Sequence, residues 1–431
     1  MSRASTALLT DHYELTMLRG ALRSEVADTP VVFEVFTRSL PPGRRYGVLA
    51  GTGRLLDLLA DFRFGPAEID FLCDTGVVND ATAGWLAGYR FRGDVTGCAE
   101  GEVYVPGTPL LVVSGTFGEC VLLETLVLSV LNADSAVAAA AARMVVAAGN
   151  RPCVEMGSRR TDERAAVAAA RAAYLVGFAA TSNLEAGRSY RVPTTGTSAH
   201  AFTLAHRSER EAFEAQVATL GPGTTLLVDT FDVAAAVRTA VEVAGPGLGA
   251  VRIDSGDLGV LAHEVREQLD ALGAFDTRVV VTSDLDEYAI AALAAAPVDA
   301  YGVGTALVTG SGAPTAGFVY KLVERAGTAV EKTSVGKTGR GGRKSLARRL
   351  TDRGVAVGDL VVPGDRPPPD GPDLRRLHVP LVRAGEVVTA PDLAAAREHH
   401  RRARAELPRE ALQLSRGEPA LEVEYVPRSA R

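Results

Sequence analysis

From Asn183 to Thr305 the sequence repeats one pattern, a short apolar run closed by a polar cluster. The clusters are Thr181-Ser182-Asn183, Gly196-Thr197-Ser198-Ala199-His200, Asp229-Thr230, Asp254-Ser255-Gly256-Asp257, Ser283-Asp284 and Gly302-Val303-Gly304-Thr305. One such cluster reads as a helix cap, because Ser, Thr and Asp favour that position. A series of them, with glycines that admit close backbone approach, reads as an active site. Asp254 and Asp257 stand three apart, and paired carboxylates there can bind Mg²⁺, hold ribose hydroxyls or act as acid and base. Arg252 alternates with Ile253, so its guanidinium faces away from the apolar side and can lie flat on a planar ring. Gly302-x-Gly304-Thr305 and Ser283-Asp284 suit phosphate, since free N–H groups and a positive dipole end gather at a helix N-terminus. His200 closes a Gly/Thr/Ser turn that also holds Thr197, a binding candidate. Histidine there serves as nucleophile, general base or structural residue, and local context leaves those readings open.

These residues need strands that end together. Runs Thr225–Val228, Ala250–Ile253, Arg278–Val281 and Asp299–Val303 read as strands, and 233–243, 260–272 and 287–296 as the helices between them. Successive βα units imply a parallel sheet covered by helices. No nucleotide-fold glycine fingerprint follows the first strand, so a closed or partly closed β/α barrel is the expected α/β fold, with chemistry where strands end. Helices are also predicted over 132–148, over 161–177 and after the capping box Ser208-x-x-Glu211. Three zones follow: an N-terminal α/β domain (1–130) with strand-like runs at Val31–Phe36, Gly101–Val105 and Pro109–Val113; the barrel (131–345); and a C-terminal extension (346–431) packing on the N-terminal domain. The Pro-rich stretch 362–373 reads as a linker or extended excursion, and 391–406 as a charged helix whose His399-His400 pair is solvated rather than metal-binding.

Composition bounds the function. The 431 residues carry a formal charge of −6 and 47% hydrophobic residues, which supports a large core and argues against nucleic acid or an anionic membrane as partner. Met1–Leu9 lacks the apolar core of a secretory signal, and the apolar stretches 121–131 and 136–148 are interrupted by Glu124 and Arg143, short of a membrane span. Four scattered cysteines without C-x-x-C favour reduced thiols, hence the cytoplasm. Although Lys and Arg total 46, the only lysines are Lys321, Lys332, Lys337 and Lys344. This segment reads either as a surface loop or as a phosphate-facing stretch where a compact ammonium matters.

Seven ordered blocks resemble nicotinate phosphoribosyltransferase, a type II phosphoribosyltransferase family, over nearly the whole chain. They are Leu9–Met17 (LTDHYELTM), Phe33–Phe36 (FEVF), Glu155–Arg160 (EMGSRR), Gly196–Phe202 (GTSAHAF), Arg252–Leu258 (RIDSGDL), Tyr301–Thr309 (YGVGTALVT) and Gly341–Lys344 (GGRK). The resemblance implies an enzyme of NAD salvage that joins nicotinate to 5-phosphoribosyl-1-pyrophosphate, with Mg²⁺, giving nicotinate mononucleotide and pyrophosphate coupled to ATP hydrolysis. It matches His200 to a histidine phosphorylated by ATP and Asp254 to the residue near the ribose. Arg252 and Tyr13 match ring- and substrate-binding positions, Tyr13 arriving from the partner of a homodimer. Arg159 matches a phosphoribosyl contact, and Gly304 and Thr305 the 5′-phosphate loop. Nicotinamide-using relatives carry an acid where Asn183 stands, so Asn183 fits a carboxylate substrate.

Two positions depart from the family pattern. Thr282-Ser283-Asp284-Leu285 has Ser283 where relatives usually have glycine, and its Cβ should resist a positive φ. Ala133 replaces a polar residue, often histidine. Both bear on phosphate affinity more than on reaction type. The alternatives are a nicotinamide-using enzyme and a catalytically silent nucleotide-binding paralogue.

Overall fold

The computed structural model describes residues 5–332, 340–389 and 392–427. It divides into two compact units, Met1–Ala139 with Ala313–Arg431, and Ala140–Gly312. The strand after residue 317 and the lysine-bearing segment beyond it therefore group with the N-terminal unit.

The second unit is the βα series expected from sequence. Its six-stranded sheet runs Ala180–Thr181, Cys153–Glu155, Ala300–Val303, Arg278–Val281, Ala250–Ile253, Thr225–Leu227, with every neighbouring pair parallel. The order is open, so the barrel is partly closed. Short apolar runs set the strands, as in a parallel sheet covered on both faces: in Ala250–Ile253 only Arg252 escapes full burial. Short polar residues set the helix starts. Ser208, Asp232, Asp257 and Asp286 each accept backbone N–H groups of the first turn of helices Glu209–Leu220, Val233–Ala244, Leu258–Ala271 and Glu287–Ala292. The register pairs Val281 with Ile253 and with Tyr301, and Glu155 with Val303 and with Thr181. The residues just beyond these strands consequently share one edge of the sheet.

The first unit is built on a seven-stranded antiparallel sheet, Thr328–Ala329, Phe318–Arg325, Pro30–Thr37, Leu111–Thr116, Asp94–Cys98, His378–Arg383, Glu386–Val387. The C-terminal segment thus adds a strand beside Asp94–Cys98. A second sheet of four strands contains Lys344–Leu350, Ala356–Pro363, Leu374–Arg376 and Glu422–Tyr425, and the Pro-rich stretch is the excursion between Pro363 and Leu374. The helical run Phe117–Ala148 joins the two apolar stretches that sequence separated. Its length and composition would suffice to cross a membrane, but 67% of its most apolar window is buried within the protein, as in a core helix.

One open reading is narrowed and one expectation is corrected here. Lys344 does not face phosphate: its side chain is buried and donates to Glu34 Oε2 at 2.8 Å and to the Gly342 carbonyl at 3.0 Å. Lys321 lies near Glu124 at 3.6 Å, and Lys337 falls outside the described residues. His400 is not solvated, and His399 is only partly so. His399 Nε2 lies 2.9 Å from Glu102 Oε2, and His400 is buried with Nδ1 2.9 Å from the Gly101 carbonyl. The reason is helical period: Leu393, Ala396, His400 and Ala403 form the buried face of helix Leu393–Ala405.

Burial pushes His400 and His378 each down to about 4 from the ordinary 6.5, against hydrogen bonds to the Gly101 and Pro109 carbonyls that oppose the shift. Both stay neutral in the folded chain where the unfolded chain takes up protons. Their contribution to stability is therefore intact above pH 6.5 and is lost as pH falls from 6.5 towards 4, by about 1.4 kcal/mol per pH unit for each ring. Unfolding midpoints should drop across that window, and a His378→Gln/His400→Gln double variant should show a shallower fall.

Candidate active site

Every residue in this site belongs to the unit Ala140–Gly312. Asp229 follows the strand Thr225–Leu227, Asp254 follows Ala250–Ile253, and Thr282 follows Arg278–Val281. One Asp229 oxygen, Oδ2, accepts from the Asp254 backbone N–H at 2.9 Å and from Ser255 Oγ at 2.6 Å. Asp254 Oδ1 accepts from the Thr282 hydroxyl. Adjacent strand ends are thereby stitched together, and the free oxygens of both carboxylates face one imidazole. His200 Nε2 lies 3.9 Å from Asp229 Oδ1 and 3.8 Å from Asp254 Oδ2, while Nδ1 is 3.2 Å from Thr230 Oγ1. The His200 side chain is 40% exposed, so the ring is oriented yet open to a ligand. The loop that delivers it runs beside the sheet: Thr194 bridges Thr181 in parallel, and the chain then turns through Gly196 to helix His200–Leu204.

Arg252 donates from Nη1 to Thr197 Oγ1 at 3.1 Å. Burial is the largest influence on its guanidinium and pulls its pKa below the usual value; Asp254 and Asp229 oppose this, and Arg159 adds to it. Arg252 remains a cation throughout the working range. Its Nε is buried without a hydrogen-bond partner, and so is Asp229 Oδ1. Buried polar atoms are nearly always satisfied, so an orphan donor and an orphan acceptor on one edge mark a place for a polar ligand.

The polar row divides by task, which its sequence did not show. Asp257 is a helix cap: its Oδ1 accepts from the N–H groups of Gly259 and Val260 at 3.1 Å. Asn183 also caps a helix, accepting from Ala186 N–H at 2.9 Å, and its amide donates to Ser158 Oγ at 3.0 Å. Both ends of that side chain are engaged, next to the turn that carries Arg159. Gly304 caps the four-residue helix Thr305–Val308 with φ −114° and ψ −101°. A Cβ on Gly302 would lie 2.5 Å from Thr282 Cγ2 and 2.8 Å from Met156 Sδ, so glycine there reflects packing. Among the described residues no three His, Cys, Asp or Glu side chains are grouped for a metal. A Mg²⁺ ion brought on a diphosphate needs only one or two protein carboxylates, and Asp254, 35% exposed, fits that need better than Asp257. Asp229 received no role from sequence. The signal was present in its strand-end position, where it resembled a cap; the actual cap of the next helix is Asp232.

Ser283 has φ +126°, the conformation its Cβ was expected to resist. Residues held there cost on the order of 1–3 kcal/mol. Ser283→Gly should therefore raise the urea midpoint of unfolding while leaving the hydrogen bond between Thr282 and Asp254 in place; a lowered midpoint would contradict this strain.

Two residues and one segment lie in the other unit. Tyr13 is in the first turn of helix His12–Arg23, 43% exposed. Burial, then Glu124, raises its hydroxyl pKa to about 12. Ala133 is exposed on the long helix Glu124–Ala148. Arg38, Lys321, Lys332 and Arg340 line a cavity of about 360 Å³ with Phe36 and Glu331, a setting with four cations for an anion.

The N-terminal domain of nicotinate phosphoribosyltransferase (NAPRTase) matches residues 8–132. The Mycobacterium tuberculosis nicotinate phosphoribosyltransferase pncB1 is 58% identical over 428 residues, covering 97% of this chain and 95% of its own. The chain belongs to the nicotinate phosphoribosyltransferase family. The family's Bacillus subtilis member is 34% identical, covering 87% of this chain and 79% of its own. The crystal structure of human nicotinic acid phosphoribosyltransferase superposes with a TM-score of 0.84 at 26% identity, covering 96% of this chain and 97% of the human one. The partly closed parallel sheet and the N-terminal domain are thus features of the family fold.

Proposed function

We propose that the chain catalyses formation of nicotinate mononucleotide and pyrophosphate from nicotinate and 5-phosphoribosyl-1-pyrophosphate, coupled to ATP through phosphorylation of His200. The observation that carries this reading is the His200 ring, open to solvent, hydrogen-bonded through Thr230 and held within 3.9 Å of Asp229 and Asp254. The names of the relatives support the substrates. In the first step an imidazole nitrogen bonds the γ-phosphorus of ATP as the bond from phosphorus to the ADP oxygen breaks. The new phosphoryl group sets negative charge beside two carboxylates, which favours rearrangement of nearby cations, Arg252 and Arg159, towards it.

In the second step the pyridine nitrogen attacks the anomeric carbon of the ribose as the carbon–oxygen bond to pyrophosphate breaks. Positive charge develops on the ribose, and Asp254 is the carboxylate placed to stabilise it. Arg252 offers its flat face and unpaired Nε to the nicotinate ring and carboxylate. Asn183 keeps that end of the site free of a second negative charge. Gly304 and Thr305 hold the 5′-phosphate, with Ser283 beside them at the next strand end. Mg²⁺ supplies charge neutralisation of the diphosphate; the chain supplies Asp254 for it and Arg159 for the leaving group. The cation-lined cavity of Arg38, Lys321, Lys332 and Arg340 is a candidate anion site within its own unit, and Tyr13 of one subunit serves the site of the other in the proposed homodimer. Four free cysteines fit a cytoplasmic setting.

The test is formation of nicotinate mononucleotide with and without ATP, with nicotinate and nicotinamide in parallel. Faster turnover of nicotinate, stimulated by ATP, is expected. Preference for nicotinamide would reassign the base, and no product with either would leave the silent paralogue.

A further inference from the structure

We propose that Glu155 positions the loops of Arg159 and Asn183 for the phosphoribosyl substrate, an inference that rests on the phosphoribosyltransferase reading. Glu155 ends the strand Cys153–Glu155 and is 0% exposed. Burial raises its carboxyl above the ordinary range, opposed only by hydrogen bonds from the Thr181 hydroxyl and the Gly157 N–H, with no cation among these influences. A carboxylate sunk into a strand end without a counter-charge is costly. Packing alone would be served by an apolar residue, as at Cys153 on the same strand and Val303 opposite it in register.

What the carboxylate holds is a closed hydrogen-bonded ring. Oε1 accepts from Gly157 N–H, fixing the turn that leads to Ser158 and Arg159. Oε2 accepts from Thr181 Oγ1, and that same hydroxyl accepts from Asn183 N–H at 2.9 Å. Asn183 then donates to Ser158 Oγ at 3.0 Å, and the ring is complete. A third loop leans on it: a Cβ added to Gly157 would lie 2.3 Å from Val308 Cγ1 and 3.2 Å from the Gly304 carbonyl. One buried carboxylate therefore sets the backbone beneath Arg159 and Asn183, and its turn packs on the loop of Gly304 and Thr305. Glu155 is sealed from solvent, so it acts as a positioning residue and does not touch substrate.

In Glu155→Gln an NH₂ group faces one of two donors, and one arm of the ring opens. The expected result is a rise of about tenfold in KM for 5-phosphoribosyl-1-pyrophosphate, with kcat within about threefold of wild type. Thr181→Val removes the hydroxyl at constant shape and should move the same KM in the same direction by a smaller factor. Thr181→Ser, which restores the hydroxyl, should return it close to wild type. A purely structural role would instead make KM indifferent to the hydroxyl and shift only the unfolding midpoint, measured alongside. Wild-type activity with an unchanged KM in both Glu155→Gln and Thr181→Val overturns the proposal. Should Glu155→Gln fail to fold, the Thr181→Val and Thr181→Ser pair decides, and equal KM values overturn it. A wild-type chain that makes no nicotinate mononucleotide overturns the underlying reading before any variant is compared.

Discussion

His200→Asn is expected to abolish both the acid-labile phosphoryl group formed with ATP and the stimulation of turnover by ATP. The amide has roughly the size of the proximal half of the ring and can still reach Thr230, so the loop Gly196–Leu204 should keep its place. It has no imidazole nitrogen to bond phosphorus. With ATP present, turnover should fall on the order of 10²-fold or more, the scale set by loss of a positioned proton-transfer or nucleophilic group. Without ATP the variant and the wild type should run at similar low rates, because the chemistry at the ribose belongs to other residues. Labelling with γ-³²P-ATP followed by acid treatment checks the first half, and paired assays check the second. Stoichiometric, acid-labile label on the variant would remove His200 from the role proposed for it.

The fold was legible because its signals are local. Short apolar runs at Ala250–Ile253 and Arg278–Val281, and short polar residues before the helices that follow, match the observed strands and helix starts. The same local chemistry hid part of the site. Asp254 and Asp257 look like a pair, yet one stitches strands and the other accepts two N–H groups of its own helix. Asp229 looks like a cap, yet it accepts from Asp254 and Ser255 and leaves one oxygen towards His200. A cap and a carboxylate that faces the site share residue type and position; only the direction of the side chain separates them, and that is fixed by neighbouring strands. Distance along the chain hid the rest. Lys344 stood out as a rare ammonium, but its partner Glu34 lies 310 residues away and the pair forms only when the two sheets are built. Had the periodicity of Leu393, Ala396 and Ala403 been extended through His400, burial of that histidine would have followed from sequence. The role proposed for His200 was different again. Its surroundings left it undecided between structure and chemistry, and the resemblance of GTSAHAF to the family block made the choice.

Asp254→Asn separates shape from charge at the reacting carbon. Asparagine preserves the backbone N–H that donates to Asp229 and can still accept from the Thr282 hydroxyl, so the strand ends should remain stitched. What it loses is the negative charge facing His200 and, in the proposed reaction, the developing cation on the ribose. Preorganised charge of this kind acts in the transition state more than in substrate binding, so kcat should fall by about 10²–10³-fold while KM for 5-phosphoribosyl-1-pyrophosphate moves far less. Asp257→Asn supplies the contrast. It makes the same chemical change three residues on, where asparagine caps a helix as well as aspartate does and stability should change by less than about 0.5 kcal/mol. Steady-state kinetics on the two variants, with nicotinate saturating, sets the charge at Asp254 against that at Asp257. Comparable losses in both would mean that the loop as a whole, through a metal or through its fold, governs the rate. A loss confined to Asp254→Asn assigns the effect to the charge of a carboxylate that faces the histidine rather than to the loop that carries it.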